Sequence, residues 1–177
     1  MWRDHRIPLR SRTVNRPTGP AELAHRLNGE SVGRALALIG DHWTLMILRE
    51  ALFGVRRYGQ LARNLGIPRP TLSVRLRAMV DAGLLERVIY AHDPDRYEYR
   101  LTEAGRDLFG AAAMLMRWGD KYLSGPEGPP IVLRHHNCGE IADPTLVCGS
   151  CGEEITAHNV TPEPGPAFRD TADTGRG

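Results

Sequence analysis

Residues 58–101 read YGQLARNLGIPRPTLSVRLRAMVDAGLLERVIYAHDPDRYEYRL, and their punctuation is that of two short helices and a hairpin. Tyr58 to Leu65 is expected to form a short helix that ends in the turn Gly66-Ile67-Pro68. The next helix is expected from about Arg69 to Ala82, because Pro70 falls in its first turn, where the missing N–H needs no partner. Gly83 ends it. Leu84–Ala91 is strand-like, His92-Asp93-Pro94-Asp95 is a turn, and Tyr97, Tyr99 and Leu101 alternate along a second strand. Helix, short glycine-containing turn, helix and β-hairpin is the order of a winged helix-turn-helix.

Projected at about 100° per residue, the second of these helices has two distinct sides. Leu72, Leu76, Met79 and Val80 share the side expected to face the core. Thr71, Val74, Arg77 and Ala78 lie opposite, with Arg75 on the flank and Arg69 at the helix start. Such a face suits a major groove: arginine pairs with guanine O6 and N7 or with phosphate, while Thr71 and Val74 can touch thymine methyls. A merely solvated arginine-bearing helix is the plainer reading of the same spacing. Arg96, just past the hairpin turn, is placed to enter a minor groove. Asp93 and Asp95 oppose that and offer it ion pairs instead.

Upstream, Val32, Ala35, Leu36 and Ile39 recur at helical spacing until Gly40 and Asp41 break the run. Asp41 can cap a helix that buries Trp43, Met46, Ile47 and Phe53 and stops at Gly54. Downstream, Thr102 can cap one last long helix whose apolar residues Leu108, Ala112, Leu115 and Trp118 fall three or four apart. That helix is longer than one small domain needs. Residues 1–29 read as a disordered basic arm, or as an upstream extension from a misplaced translation start. Residues 30–124 form the DNA-binding and dimerisation domain, 125–134 a Gly/Pro linker, 135–155 a metal module and 156–177 a disordered acidic tail. No internal repeat is visible.

The 177 residues, 41% of them apolar, suffice for a real core and exclude wholesale disorder. The net charge of +2 is unevenly spread: residues 1–30 carry +3, residues 31–124 carry +4 and residues 125–177 carry −5. A polyanionic partner therefore suits the front of the chain. Of the 23 basic residues only Lys121 is lysine, a bias that a GC-rich genome accounts for. No apolar run approaches a membrane span and no secretory signal is visible, so a cytoplasmic protein without membrane contact is expected. There is no G-x-S-x-G elbow, phosphate-binding glycine loop or H-E-x-x-H, which argues against an enzyme.

All three cysteines fall between residues 138 and 151. His135-His136-Asn137-Cys138-Gly139 and Cys148-Gly149-Ser150-Cys151-Gly152 read H-x-x-C-G and C-x-x-C-G. Two ligands separated by two residues and followed by glycine make a tight turn, and two such turns complete a tetrahedral site. Three thiolates and one imidazole suit structural zinc, with Cys138, Cys148 and Cys151 joined by His135 or, one residue closer, His136. The competing reading is a redox pair of thiols at Cys148 and Cys151. The fold class expected is thus mainly α with a small β-hairpin, a winged helix-turn-helix followed by a short zinc-ribbon-like module.

The pieces R-A-L-x-x-I-G-x-x-W-T-L-x-I-L-R-E from Arg34, L-S-x-R-L from Leu72, G-L-L-E-R from Gly83 and Y-R-L-T-x-x-G-R from Tyr99 carry a resemblance. Over about residues 30–123 the chain resembles the HxlR-type winged-helix transcription regulators, relatives of the MarR group. The resemblance implies a homodimer joined through its first and last helices, here Leu36 with Leu108, Ala112, Leu115 and Trp118. It also implies two recognition helices reading an inverted-repeat operator in double-stranded DNA. Where many members carry a sensing cysteine this chain has Glu30 and Ser31, and Asp95 stands where a wing proline often sits. A redox protein, or an interaction module without DNA affinity, is the alternative function.

Overall fold

The structure, a computed structural model, describes residues 31–161. The basic arm at 1–29 and the acidic tail from residue 162 onward lie outside them. The chain divides into two compact units, the first ending at Arg106 and the second beginning at Asp107. Helices α1 (Ser31–Ile39), α2 (His42–Leu52), α3 (Tyr58–Leu65) and α4 (Arg69–Asp81) come first, then β1 (Leu85–Ala91), β2 (Arg96–Leu101) and the short α5 (Glu103–Asp107).

Between α1 and α2 the chain needs glycine, since a Cβ at Gly40 would lie 2.5 Å from the carbonyl oxygen of Leu36. Asp41 then caps α2, its carboxylate accepting from the N–H groups of Trp43 at 3.1 Å and Thr44 at 3.2 Å and from the Thr44 hydroxyl. The core of this unit is Ile47 and Leu48 of α2, Leu61 of α3, Ile67 in the turn, Leu72, Leu76 and Met79 of α4, and Leu84 and Leu85 leading into β1. Trp43, expected there, is only half-buried: it stands in the first turn of α2, at the edge of the core, edge-on to His42 at 5.0 Å. Val80 is half-buried as well. Glu50 is buried and accepts from Arg49 at 2.7 Å and from the Asn64 amide at 2.6 Å, which ties α2 to α3. A buried carboxylate without such donors would be strongly destabilising.

The hairpin pairs Leu85 with Leu101 through Ile89 with Tyr97, and its register slips between Ile89 and Ala91. The loop before α3 adds a third short rung, as Arg57 bridges Glu98 and the Tyr99 N–H donates to the Arg56 carbonyl at 2.8 Å. At its end the Thr102 hydroxyl donates to the Gly83 carbonyl at 2.6 Å and accepts from the Gly105 N–H at 3.1 Å. A Cβ at Gly105 would sit 2.2 Å from the Leu84 carbonyl oxygen, so only glycine lets the chain return this close to the strand.

Thr102 does not cap one long helix as expected. The first turn, pinned to the end of the hairpin by Thr102 and Gly105, ends at Asp107, and Leu108 with ψ −7° separates it from α6 (Phe109–Leu123). The second unit continues with a turn in which the Gly128 N–H donates to Gly125 at 3.0 Å, then two small hairpins. These correct the expectation of no repeat. In the first, the N–H groups of His135, Gly139 and Ala142 donate to Glu140, His135 and Leu133; in the second, those of Cys148, Gly152 and Ile155 donate to Glu153, Cys148 and Leu146. Every partner is displaced by 13 residues, as are the bridges Arg134–Ile141 and Val147–Glu154. Gly139 and Gly152 share a left-handed φ of 75° and 77°, where a side chain would be strained.

Candidate functional site

The turn between α3 and α4 is set by Gly66, whose φ of 61° closes α3 in the left-handed region. From the first residue of α3, the Tyr58 hydroxyl donates to the Arg69 carbonyl at 2.9 Å and lies 3.1 Å from the Ser73 hydroxyl. One side chain thereby fixes the start of α4 against α3. Leu72, Leu76 and Met79 anchor the inner side of α4, which leaves its outer side projecting from a rigid seat.

That outer side carries Arg69, Ser73, Val74, Arg77 and Ala78, all exposed, with Val74 at 61%. Thr71 is half-buried beside them. Arg75 is half-buried, its Nε 3.3 Å from the Asp41 carboxylate, so the fold itself occupies part of this guanidinium. Arg96 is exposed on the hairpin, and the pairing with its neighbouring aspartates does not form; Asp95 faces His92 at 3.2 Å instead. Among the described residues Arg69, Arg77 and Arg96 have no ion pair. Three uncommitted guanidiniums next to an apolar Val74 are suited to phosphate oxygens, base edges and a methyl group.

Asp41 connects this surface to the stability of the fold. Burial alone would raise its carboxyl, but the Thr44 hydroxyl and N–H, the Arg75 guanidinium and the Trp43 N–H together hold it below the ordinary value of 3.8. Its ionised form is therefore favoured by folding, and the benefit disappears as pH falls through the lowered folded value. Asp41→Ala is expected to cost about 1 kcal/mol at neutral pH through the lost cap. In urea unfolding the gap to the parent should stay level above the unfolded carboxylate's range and narrow in acid below it.

Sequence spacing did not reveal Tyr58 and Ser73, which meet across 15 residues of chain, nor the arginines laid over hairpin rings. Arg57 lies 4.6 Å from the Tyr90 ring centre and Arg87 lies 3.4 Å from that of Tyr97. Both stiffen the strand that carries the turn to Arg96.

The residues expected at a dimer interface fall into two groups. Leu36, Leu115 and Trp118 are exposed at 57%, 57% and 51%, whereas Leu108 and Ala112 are half-buried. Val32 and Leu38 extend the exposed apolar surface of α1, which buries none of its residues. Trp118 stacks obliquely on Tyr122 at 5.5 Å along α6, and Arg117 of that helix pairs with Asp143 at 2.7 Å.

The four expected metal ligands are brought together as two pairs. His135 Nδ1 lies 3.3 Å from Cys138 Sγ. Cys148 Sγ accepts from the N–H groups of Ser150 and Cys151 and from the Cys151 side chain, which holds its thiol below the usual range. Among the described residues no group of three or more His, Cys, Asp or Glu is gathered at one point.

The profile of the HxlR-like helix-turn-helix family matches residues 38–127. A Mycobacterium tuberculosis protein named an uncharacterized HTH-type transcriptional regulator is 72% identical over 149 residues, covering 84% of this chain and 94% of its own. YtcD of Bacillus subtilis, with the same description, is 34% identical over 95 residues, covering 53% of this chain and 75% of its own. The crystal structure of the candidate transcription factor PA1607 superposes with a TM-score of 0.69 at 30% identity, covering 79% of this chain and 98% of that one.

Proposed function

The chain belongs to the HxlR-like helix-turn-helix family and is a DNA-binding transcriptional regulator, and from that premise we propose that it acts as a homodimer on an inverted-repeat operator. The observation that carries this reading is the division of α4 into a buried seam of Leu72, Leu76 and Met79 and an exposed face of Arg69, Val74, Arg77 and Ala78. Val74 and Arg77 read base edges, Thr71 assists at the margin, and Arg69 holds phosphate. Arg75 divides its guanidinium between Asp41 and the DNA backbone. Arg96 reaches the minor groove from the hairpin.

The dimer rests on α1 and α6. A helix of nine residues that buries none of them is marginal on its own in water. A second copy that covers Val32, Leu36 and Leu38, together with Leu115 and Trp118, supplies the missing support. Two-fold symmetry then sets the two α4 helices about one DNA turn apart, roughly 34 Å. We assign the protein to the cytoplasm and give it no catalytic step. No helix among the described residues is long and apolar enough to cross a membrane.

Selection of duplexes from a random-sequence library by the full chain tests this reading. The expected product is a pair of inverted half-sites with centres about 10 base pairs apart, bound by a species of dimer mass in native mass spectrometry. Equal, weak retention of every sequence at physiological salt, or an enriched site without two-fold symmetry, would refute it.

A further inference from the structure

The 13-residue repeat of the second unit superposes two half-sites. Leu133-Arg134-His135-His136-Asn137-Cys138-Gly139-Glu140 runs in register with Leu146-Val147-Cys148-Gly149-Ser150-Cys151-Gly152-Glu153. The register equates His135 with Cys148 and Cys138 with Cys151, and it equates His136 with Gly149, which has no side chain to offer. We propose that the two turns close on one tetrahedral zinc-class cation held by His135 Nδ1 and the thiolates of Cys138, Cys148 and Cys151.

Three observations converge on this. The hydrogen bonds of the two hairpins match one for one, and each turn ends in a glycine with left-handed φ. Bonds of about 2.0 Å to nitrogen and 2.3 Å to sulfur at a tetrahedral angle hold the two donors about 3.6 Å apart. His135 Nδ1 and Cys138 Sγ stand at 3.3 Å, so this pair needs only a small spread to accept the ion. In the other turn, the N–H groups of Ser150 and Cys151 already point at Cys148 Sγ, as they must to stabilise a thiolate ligand.

The hairpins also lack another means of support. Ile141, Leu146 and Val147 are all more than half exposed, and so short a segment cannot assemble a core of its own. A bound ion joining the pairs replaces that core, and four protein ligands leave no open position, so the ion is structural. The metal alone is the probe: the full chain, stripped by chelator and kept reduced, is titrated with Co²⁺.

One equivalent per chain is expected, with the intense visible bands of tetrahedral cobalt, thiolate-to-metal charge transfer and displacement by Zn²⁺. His135→Ala and Cys148→Ser should each abolish the bands, His136→Ala should leave them unchanged, and His135→Cys should keep them while strengthening charge transfer. Because His136→Ala and His135→Cys alter the same turn, their retained bands separate ligation from loss of folding. Octahedral cobalt only, no saturation at one equivalent, or loss of the bands in His136→Ala but not in His135→Ala would overturn the assignment. So would a Cys148–Cys151 disulfide found in the metal-free chain, which would favour a thiol couple at the same turn.

Discussion

Arg77→Ala is expected to weaken binding to the selected operator by about 1–3 kcal/mol per half-site, roughly ten- to hundredfold, and to relax the preference at one base pair of each half-site. Arg77 is exposed, without an ion pair among the described residues, and stands one residue beyond the buried Leu76, so its loss touches nothing that holds the fold. Its neighbours give the contrast that makes the measurement decisive. Arg69→Ala should weaken all sequences alike and flatten the salt dependence by about 0.9 in the logarithmic slope, as expected for one phosphate contact. Arg75→Ala should weaken DNA binding and also lower stability modestly, because the same guanidinium faces Asp41. Fluorescence anisotropy on the operator and on point-substituted operators, over a range of salt, distinguishes the three. A variant without Arg77 that keeps full affinity and unchanged base preference would move the reading face off this side of α4.

Leu76→Ala is expected to cost about 2–5 kcal/mol of stability, since Leu76 is fully buried between α4 and the rest of the core and the shorter side chain leaves a cavity. Domain stabilities are of the order of 5–15 kcal/mol, so this one change can remove a large share. Val74→Ala, two residues away and mostly exposed, should alter stability by less than about 0.5 kcal/mol while changing sequence preference. Urea denaturation followed by circular dichroism reads both. Equal destabilisation by the two variants would mean that the inner and outer sides of α4 are misassigned.

The elements that chain punctuation governs were readable from residues alone. Tyr58–Leu65 is a helix over the expected range, α4 ends one residue early at Asp81, and the strands agree to within a residue at each end. Gly66, Pro68, Pro70 and Gly83 act locally, and local signals survive in sequence. What could not be read depends on residues far apart in the chain. Nothing near Glu50 announces that Asn64 will reach it, and nothing near Arg75 announces Asp41. The break at Leu108 follows from how closely Gly105 meets the Leu84 carbonyl, a contact that joins residues 21 positions apart. The hairpin repeat had a sequence signal, Leu-x-His/Cys-x-x-Cys-Gly-Glu written twice. The identity of the residues between the fixed positions differs enough to conceal it until the hydrogen bonds align.

The bare surface of α1 carries a consequence for how such a regulator responds in a cell. With no buried residue of its own, this helix becomes secure only when a second chain covers it. At concentrations well below the dimer's dissociation constant, the amount of assembled reader rises with the square of the amount of chain, so halving synthesis leaves roughly a quarter of it. Operator occupancy in that regime is a steep function of the protein's own abundance. A modest change in expression or degradation rate then acts as a signal in its own right, with no small molecule bound.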